Sequence, residues 1–281
     1  MRVGSDCYSC LLEQGRRVLR LCTADGKKMR SVEQFLATRY SQEAVPALLG
    51  TELYRFLREL TGRRDAFSSV KYRANTTALR VLPAAREMVS SSPDRLAAAV
   101  RAAIAGNLMD FAVYGENTCE EVLRKALDED PVIDHTSHFG ALVEGGKNVL
   151  YLLDNAGEIV LDMLLIEELQ RRGSTVTAAV KSEPVFNDAT LEDARQVGLD
   201  RMCRVITTGD MVGVDLRRAS AEFIREVERA ELVVAKGQGH FETLDEYTEK
   251  PLVFLLRAKC ASVAEVLGVP RGSGVVLVRN I

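Results

Sequence analysis

Asn148-Val-Leu-Tyr-Leu-Leu-Asp154-Asn155-Ala-Gly157-Glu158 is followed at once by Ile-Val-Leu-Asp-Met-Leu-Leu-Ile-Glu-Glu-Leu. An unbroken apolar run, then acidic and amide side chains at a Gly-containing turn, then apolar residues at helical spacing read as a buried strand, a turn and a helix. Polar chemistry falls where the strand ends. In an open α/β sheet ligands bind outside that carboxyl end, which makes Asp154 and Asn155 the first candidate site residues.

The pattern extends in the carboxyl direction. Strand-like runs at 149–153, 175–180, 203–207, 232–235, 252–256 and 275–278 alternate with helical periods that reach about residue 171 and cover 191–197 and about 216–229. This spacing predicts a Rossmann-like, mainly parallel sheet with helices on both faces. Upstream of Gly145-Gly146 strand signals are nearly absent. Ser31 with Gln34 and Thr118 with Glu121 fit the capping box, Ser92-Pro93 reads as a helix start, and Gly50, Gly62 and Gly106 read as helix ends. The chain therefore divides into an α-helical region, 1–144, expected to form a wall or lid of a pocket, and an α/β region, 145–281. No linker rich in Pro, Gly or Ser separates them.

Composition narrows the class. The 281 residues are 47% hydrophobic and 27% charged, with a formal net charge of −3 and no long basic run. That balance argues against nucleic acid as a main partner. Charged residues interrupt the amino-terminal stretch and no run approaches the length of a membrane span, so a cytoplasmic protein without a membrane partner is expected. The six cysteines, spread from Cys7 to Cys260, suit reduced thiols or metal ligands better than a disulfide framework.

Polar clusters recur after successive strands. Asp154 and Asn155 follow the first, Lys181 and then Asn187 and Asp188 the second, Gly209 and Asp210 the third, and Lys236-Gly237-Gln238-Gly239-His240-Phe241-Glu242 the fourth. Adjacent strands would bring these loops to one crevice. Asp154, Asn155 and Asp188 offer oxygen ligands only, a set suited to a hard divalent ion. Lys181 and Lys236 could neutralise a phosphate, and Gly237 could let backbone N–H groups approach it. The metal would polarise the phosphoryl oxygen while the lysines stabilise charge in transfer. Asp162, Glu167 and Glu168, farther along the helix, read as a solvated face. Dinucleotide and P-loop glycine patterns are absent, and so is the elbow of Ser/His/Asp hydrolases.

At these residues the chain resembles a known family. Asp154-Asn-Ala-Gly-Glu158, Pro184-Val-Phe-Asn187-Asp188-Ala-Thr, Lys236-Gly-Gln-Gly-His-Phe-Glu242, Gly106-Asn107-Leu-Met-Asp110 and Cys7-Tyr-Ser-Cys10 look like the motifs of the damage-control phosphatases. That family is also called domain of unknown function 89, or the acidic-residue methyltransferase-like metal-binding domain; the match is to its stand-alone archaeal and bacterial branch. The resemblance implies hydrolysis of damaged or unwanted phosphorylated metabolites, such as sugar phosphates or nucleotide-related phosphates, with Mn²⁺, Co²⁺, Ni²⁺ or Mg²⁺. It implies metal ligation by Asp154, Asn155 and Asp188, phosphate binding by Lys236, and substrate or supporting contacts from Asn107 and Asp110. Lys71 and Asn75 resemble a further lysine and asparagine of that branch. His240 stands where the family usually has Asn, so its charge is expected to vary near neutral pH. Ser182-Glu183 precede Pro184 where a Gly is common.

The expected assignments are therefore Asp154, Asp110 and Glu158 for catalysis, with Asp110 or Glu158 handling protons. Lys236, Asn107, Lys181, Gly237 and His240 are assigned to substrate and phosphate. Direct attack by water and a phosphoryl-enzyme route both fit this set. A structural zinc at Cys7 and Cys10 would require two more ligands, with Cys22 and Cys260 the candidates. The rival readings are a carboxyl methyltransferase using S-adenosylmethionine and a non-catalytic metal- or phosphometabolite-binding protein.

Overall fold

Val149 and Tyr151 point into one apolar layer, Leu150 and Leu152 into another, and all four are buried. The strand that carries them is central, and its continuous apolar run follows from having both faces covered. In this computed structural model, which describes residues 1–22, 27–107 and 116–280, it is β2 (Asn148–Leu152). Six other strands join it: β1 (Ile133–Asp134), β3 (Thr175–Val180), β4 (Arg204–Thr207), β5 (Leu232–Lys236), β6 (Leu252–Arg257) and β7 (Gly274–Arg279). Their order is β1-β7-β6-β5-β2-β3-β4, and the pairs are parallel except β6 with β7. The mainly parallel α/β sheet expected from the alternation is present.

Two helical layers cover the sheet. On one side lie α4 (Ser68–Ser91), α5 (Arg95–Gly106) and α8 (Glu158–Arg171), which share a core with Val149, Tyr151 and Val234. Ile159 through Ile166 of α8 are all buried, because this helix is covered by the sheet on one side and by other helices on the rest. On the other side, α10 (Ala221–Arg229), α11 (Gly237–Leu244) and α12 (Ala261–Leu267) pack on Leu150, Leu152 and Phe254. A third cluster unites α1 (Cys7–Leu21), α2 (Lys27–Arg39) and α3 (Pro46–Thr61) with Val185 and Phe186 from the β3 loop. Thus α4 and α5 share the core of the sheet, and α1 to α3 form a separate cluster near its carboxyl edge. The remaining helices are α6 (Glu116–Asp128), α7 (Thr136–Leu142) and α9 (Leu191–Val197).

Several local expectations differ from the structure. Ser31 and Thr118 lie inside α2 and α6, and Gly50 lies inside α3. Asp94, not Ser92, caps α5, its carboxylate accepting from Ala97 N–H at 3.0 Å. The capping box that does form is Thr190 with Asp193, at the start of α9. Gly62, at φ 68°, does terminate α3. Among the described residues no helix is long and apolar enough to cross a membrane.

Candidate active site

The order β5-β2-β3 makes the β2/β5 boundary a topological switch point, because the chain leaves β2 toward β3 and returns to β5 on the other side. Leu152 is in register with Ala235, so Asp154 and Gly237, each two residues on, face one another across that crevice. Gly237 has φ +76°, and a Cβ built on it would collide with the Asp154 carboxylate. Only glycine allows both this conformation and this approach.

Asp188 reaches the crevice from β3. Residues beyond Lys181 turn back along the end of β2, with bridges Asn155–Asp188 and Lys181–Thr190, and Ala189 N–H donates to Asp154 O at 2.8 Å. Phe186 takes φ +46°, an uncommon conformation for a bulky residue, immediately before Asn187 and Asp188. Asp154, Asn155 and Asp188 together line a cavity of about 270 Å³.

The polar groups at its floor are tightly organised. Asn107 Nδ2 donates to Asp154 Oδ2 (3.0 Å) and Glu158 Oε2 (2.8 Å), and Asn155 Nδ2 donates to the same two oxygens (2.7 and 3.1 Å). The Asn155 amide thereby turns its carbonyl oxygen away from those carboxylates. Burial, reinforced by nearby Glu158, pushes Asp154 up to about 6. Burial also pushes Asp188 up to about 8, against the pull of Lys181 and with the help of Asp154. Asp188 Oδ2 is buried without a hydrogen-bond partner; Lys181 Nζ stands 3.8 Å away. Two crowded carboxylates, one with an orphaned oxygen, fit a cation whose charge would reverse their mutual repulsion. Two carboxylates and an amide oxygen are a hard-ion donor set.

The lysines do not occupy the places expected of them. Lys236 Nζ is fully buried and donates to Ala103 O (2.9 Å), Glu158 Oε1 (2.6 Å) and Asp162 Oδ1 (2.7 Å). An ammonium has three N–H donors, so this arrangement leaves none for a phosphate. Burial alone would raise Glu158, but the Lys236 charge outweighs it and keeps Glu158 below its ordinary range. Lys181 is also fully buried, with Nζ 2.8 Å from Gly213 O, and burial lowers it. Neither lysine is among the side chains lining the cavity.

His240 is corrected too. Its Nδ1 lies 2.7 Å from Lys236 O and therefore carries the hydrogen, while Nε2 faces Lys181 Nζ at 3.4 Å. Burial and the adjacent Lys181 charge hold it well below its ordinary value, so it stays neutral near pH 7. Asp162 and Glu168 are not a solvated face. Asp162 is buried between Tyr151 Oη (2.8 Å) and Lys236, and burial lifts it to about 7. Glu168 is buried beneath Arg95, Arg171 and Arg172. Glu167, half-buried, pairs with Arg86.

Lys71 and Asn75 support the site from outside the cavity. Lys71 Nζ pairs with Asp65 (3.0 Å) and Asp193 (3.1 Å), and Asn75 Oδ1 accepts from Gly157 N–H at 2.7 Å, steadying the β2 turn. Asp210 pairs with Arg55 of α3 at 2.7 Å and does not line the cavity. Asp110 lies outside the described residues.

Two residues at the cavity escaped the sequence reading. Lys259, after β6, is exposed at its edge, and its charge draws down both Asp154 and Glu158. Its position after a strand was the available signal. Glu242 of α11 also lines the cavity; burial lifts it to about 7, against a hydrogen bond from Ala47 N–H. Cys7, Cys10 and Cys260 share this lining, whereas Cys22 does not. Cys7 Sγ lies 3.6 Å from Ser262 Oγ, and Cys260 Sγ caps α12. Among the described residues no three His, Cys, Asp or Glu side chains are grouped to hold a metal.

Comparison with known proteins agrees with this architecture. A model of the damage-control phosphatase ARMT1-like domain matches residues 3–275. A damage-control phosphatase of Archaeoglobus fulgidus is 37% identical, over 97% of each chain. One of Pyrococcus horikoshii is 35% identical, over 100% of this chain and 99% of that one. The crystal structure of a domain-of-unknown-function-89 protein from Pyrococcus horikoshii superposes with a TM-score of 0.92 at 34% identity, covering all of both chains. With a family model spanning nearly its whole length and relatives this similar end to end, the chain belongs to the damage-control phosphatase ARMT1-like domain family.

Proposed function

We propose that this protein is a metal-dependent phosphatase that hydrolyses small phosphorylated metabolites. The observation that carries the reading is the orphaned Asp188 Oδ2, buried beside Asn155 and Asp154 on the floor of a small cavity. Names of the relatives support the phosphatase class.

Asp154, Asn155 and Asp188 would hold the ion, with Mn²⁺, Co²⁺, Ni²⁺ and Mg²⁺ the candidates. Bound there, the metal would polarise the phosphoryl oxygen and supply Lewis acidity. Asn107 and Asn155 fix the Asp154 carboxylate by gripping Oδ2, which leaves Oδ1 unclaimed by either amide. Lys236 keeps Glu158 ionised and in place, so its role is positioning. Lys259 takes over phosphate neutralisation from the buried lysines, since its exposed ammonium stands at the cavity edge. The 270 Å³ volume suits a metabolite rather than a macromolecule.

A phosphate-release screen with each of the four metals, with and without chelator, tests the reading. Activity should require metal and should vanish in Asp154→Ala and in Asp188→Ala. Turnover that survives complete metal removal, or both substitutions, would sink it. Tight calorimetric binding of S-adenosylmethionine would favour the methyltransferase instead.

A further inference from the structure

The carboxyl end of α3 carries a cluster of cations that the candidate active site does not use. Arg55 and Arg58 stand three residues apart and share a helix face, while Leu53, Tyr54 and Leu57 turn to the core. Gly62, at φ 68°, ends the helix, so Arg63 and Arg64 follow at the same end. The four guanidinium groups line an open groove of about 490 Å³ together with Glu59 and Asp210. This groove shares no lining residue with the cavity that holds Asp154 and Asp188.

Two of the arginines are committed within the protein. Arg55 Nη2 donates to Asp210 at 2.7 Å, and Arg64 holds Glu183 through Nε (3.1 Å) and Nη2 (3.0 Å). These pairs tie α3 to the loops after β3 and β4. The other two are not so engaged. Arg58 approaches Glu183 only to 3.9 Å, too far for a hydrogen bond, and Arg63 enters no ion pair among the described residues. Against them stands Glu59, an exposed carboxylate that no arginine holds among the described residues.

A guanidinium presents a fork of N–H donors that matches phosphate oxygens bidentately. Two such forks lining one groove suit two linked phosphoryl groups better than one. The surrounding chain carries a net charge of −3, which disfavours a long polyanion such as nucleic acid and leaves a small one.

We propose that this groove is a second anion site, separate from the candidate active site, which takes a small molecule carrying a diphosphate group through Arg58 and Arg63. It does not depend on the phosphatase reading.

Calorimetric titration at low ionic strength tests it, with inorganic pyrophosphate, orthophosphate and ADP as probes. The protein is metal-free, because pyrophosphate chelates divalent ions. Pyrophosphate should bind with a dissociation constant of about 1 mM or below. Orthophosphate, which can engage one fork only, should bind at least about tenfold more weakly. Arg58→Gln combined with Arg63→Gln should weaken pyrophosphate by about tenfold or more, while Lys259→Met, at the other cavity, should leave it within about twofold. Glu59→Gln should tighten it by about twofold or more, a gain that a folding defect cannot produce. No pyrophosphate binding up to about 10 mM, or an affinity for orthophosphate equal to that for pyrophosphate, overturns the proposal. So does an affinity unchanged by the double substitution. ADP that matches pyrophosphate places the ligand among organic diphosphates, and ADP that fails to bind places it with free pyrophosphate; both results support a diphosphate site.

Discussion

Lys236 Nζ stands 2.6 Å from Glu158 Oε1, and neither side chain is reached by solvent. The lysine of the glycine-rich loop is thus a counter-ion to buried carboxylates. With Asp162 also 2.7 Å away, one cation serves two acidic groups within the core between α8 and the sheet. Removing it would leave both without compensation.

Lys236→Met should therefore destabilise the fold by about 3–5 kcal/mol, the cost of breaking a buried ion pair on one side. Urea unfolding of the metal-free protein measures it. A loss below about 1 kcal/mol would show that the lysine is not the structural counter-ion described here.

Lys259→Met should behave in the opposite way. Its side chain is exposed, so stability should change by less than about 0.5 kcal/mol. Losing charge stabilisation at the phosphate should lower kcat/KM by about a hundredfold. Steady-state kinetics beside an unfolding curve separates the two lysines, and unaltered kinetics would remove Lys259 from the site.

Gly237→Ala puts a methyl group into the Asp154 carboxylate from a backbone with φ +76°. Displacing that carboxylate should weaken Mn²⁺ binding by about 10- to 100-fold, the scale seen when the surroundings of a ligand are disturbed. Calorimetric titration with Mn²⁺ reads this directly. Wild-type affinity in the variant would mean that Asp154 does not hold the ion in this position.

Glu242 sets a pH dependence. Burial raises it from an ordinary 4.5 to about 7, so the folded state binds its proton more tightly than the unfolded chain does. The contribution is fully present below about pH 4.5 and declines as pH rises through 7. Linkage gives a loss of about 1 kcal/mol between pH 6 and pH 8. Comparing the metal-free protein with Glu242→Gln in urea at both pH values isolates that slope. Identical slopes in the two proteins would contradict the assignment.

How much was legible in the sequence is clearest at β2. Val149 to Leu153 could be read as a doubly buried strand because apolar side chains leave water on either face of a sheet. Asp154, Asn155 and Asp188 could be singled out because each follows a strand whose carboxyl end opens toward the ligand crevice. At Gly237 the residue pattern suggests backbone N–H groups approaching a phosphate, whereas the group the structure brings against its Cα is the Asp154 carboxylate.

The partners of each charge were decided by tertiary structure alone. Lys236 and Lys259 are the same chemical group after successive strands, yet one is sealed beneath α5 and α8 and the other stands at the cavity edge. Asp162 looks solvent-facing on a helical wheel, but α8 is covered on nearly every side, so it had to find Tyr151 and Lys236. His240 lost its neutral-pH titration for the same reason. Local pattern records which residues avoid water. Burial and the pairing of charges depend on chain segments more than a hundred residues apart, as with Lys71 of α4 and Asp193 of α9, and only folding brings them together.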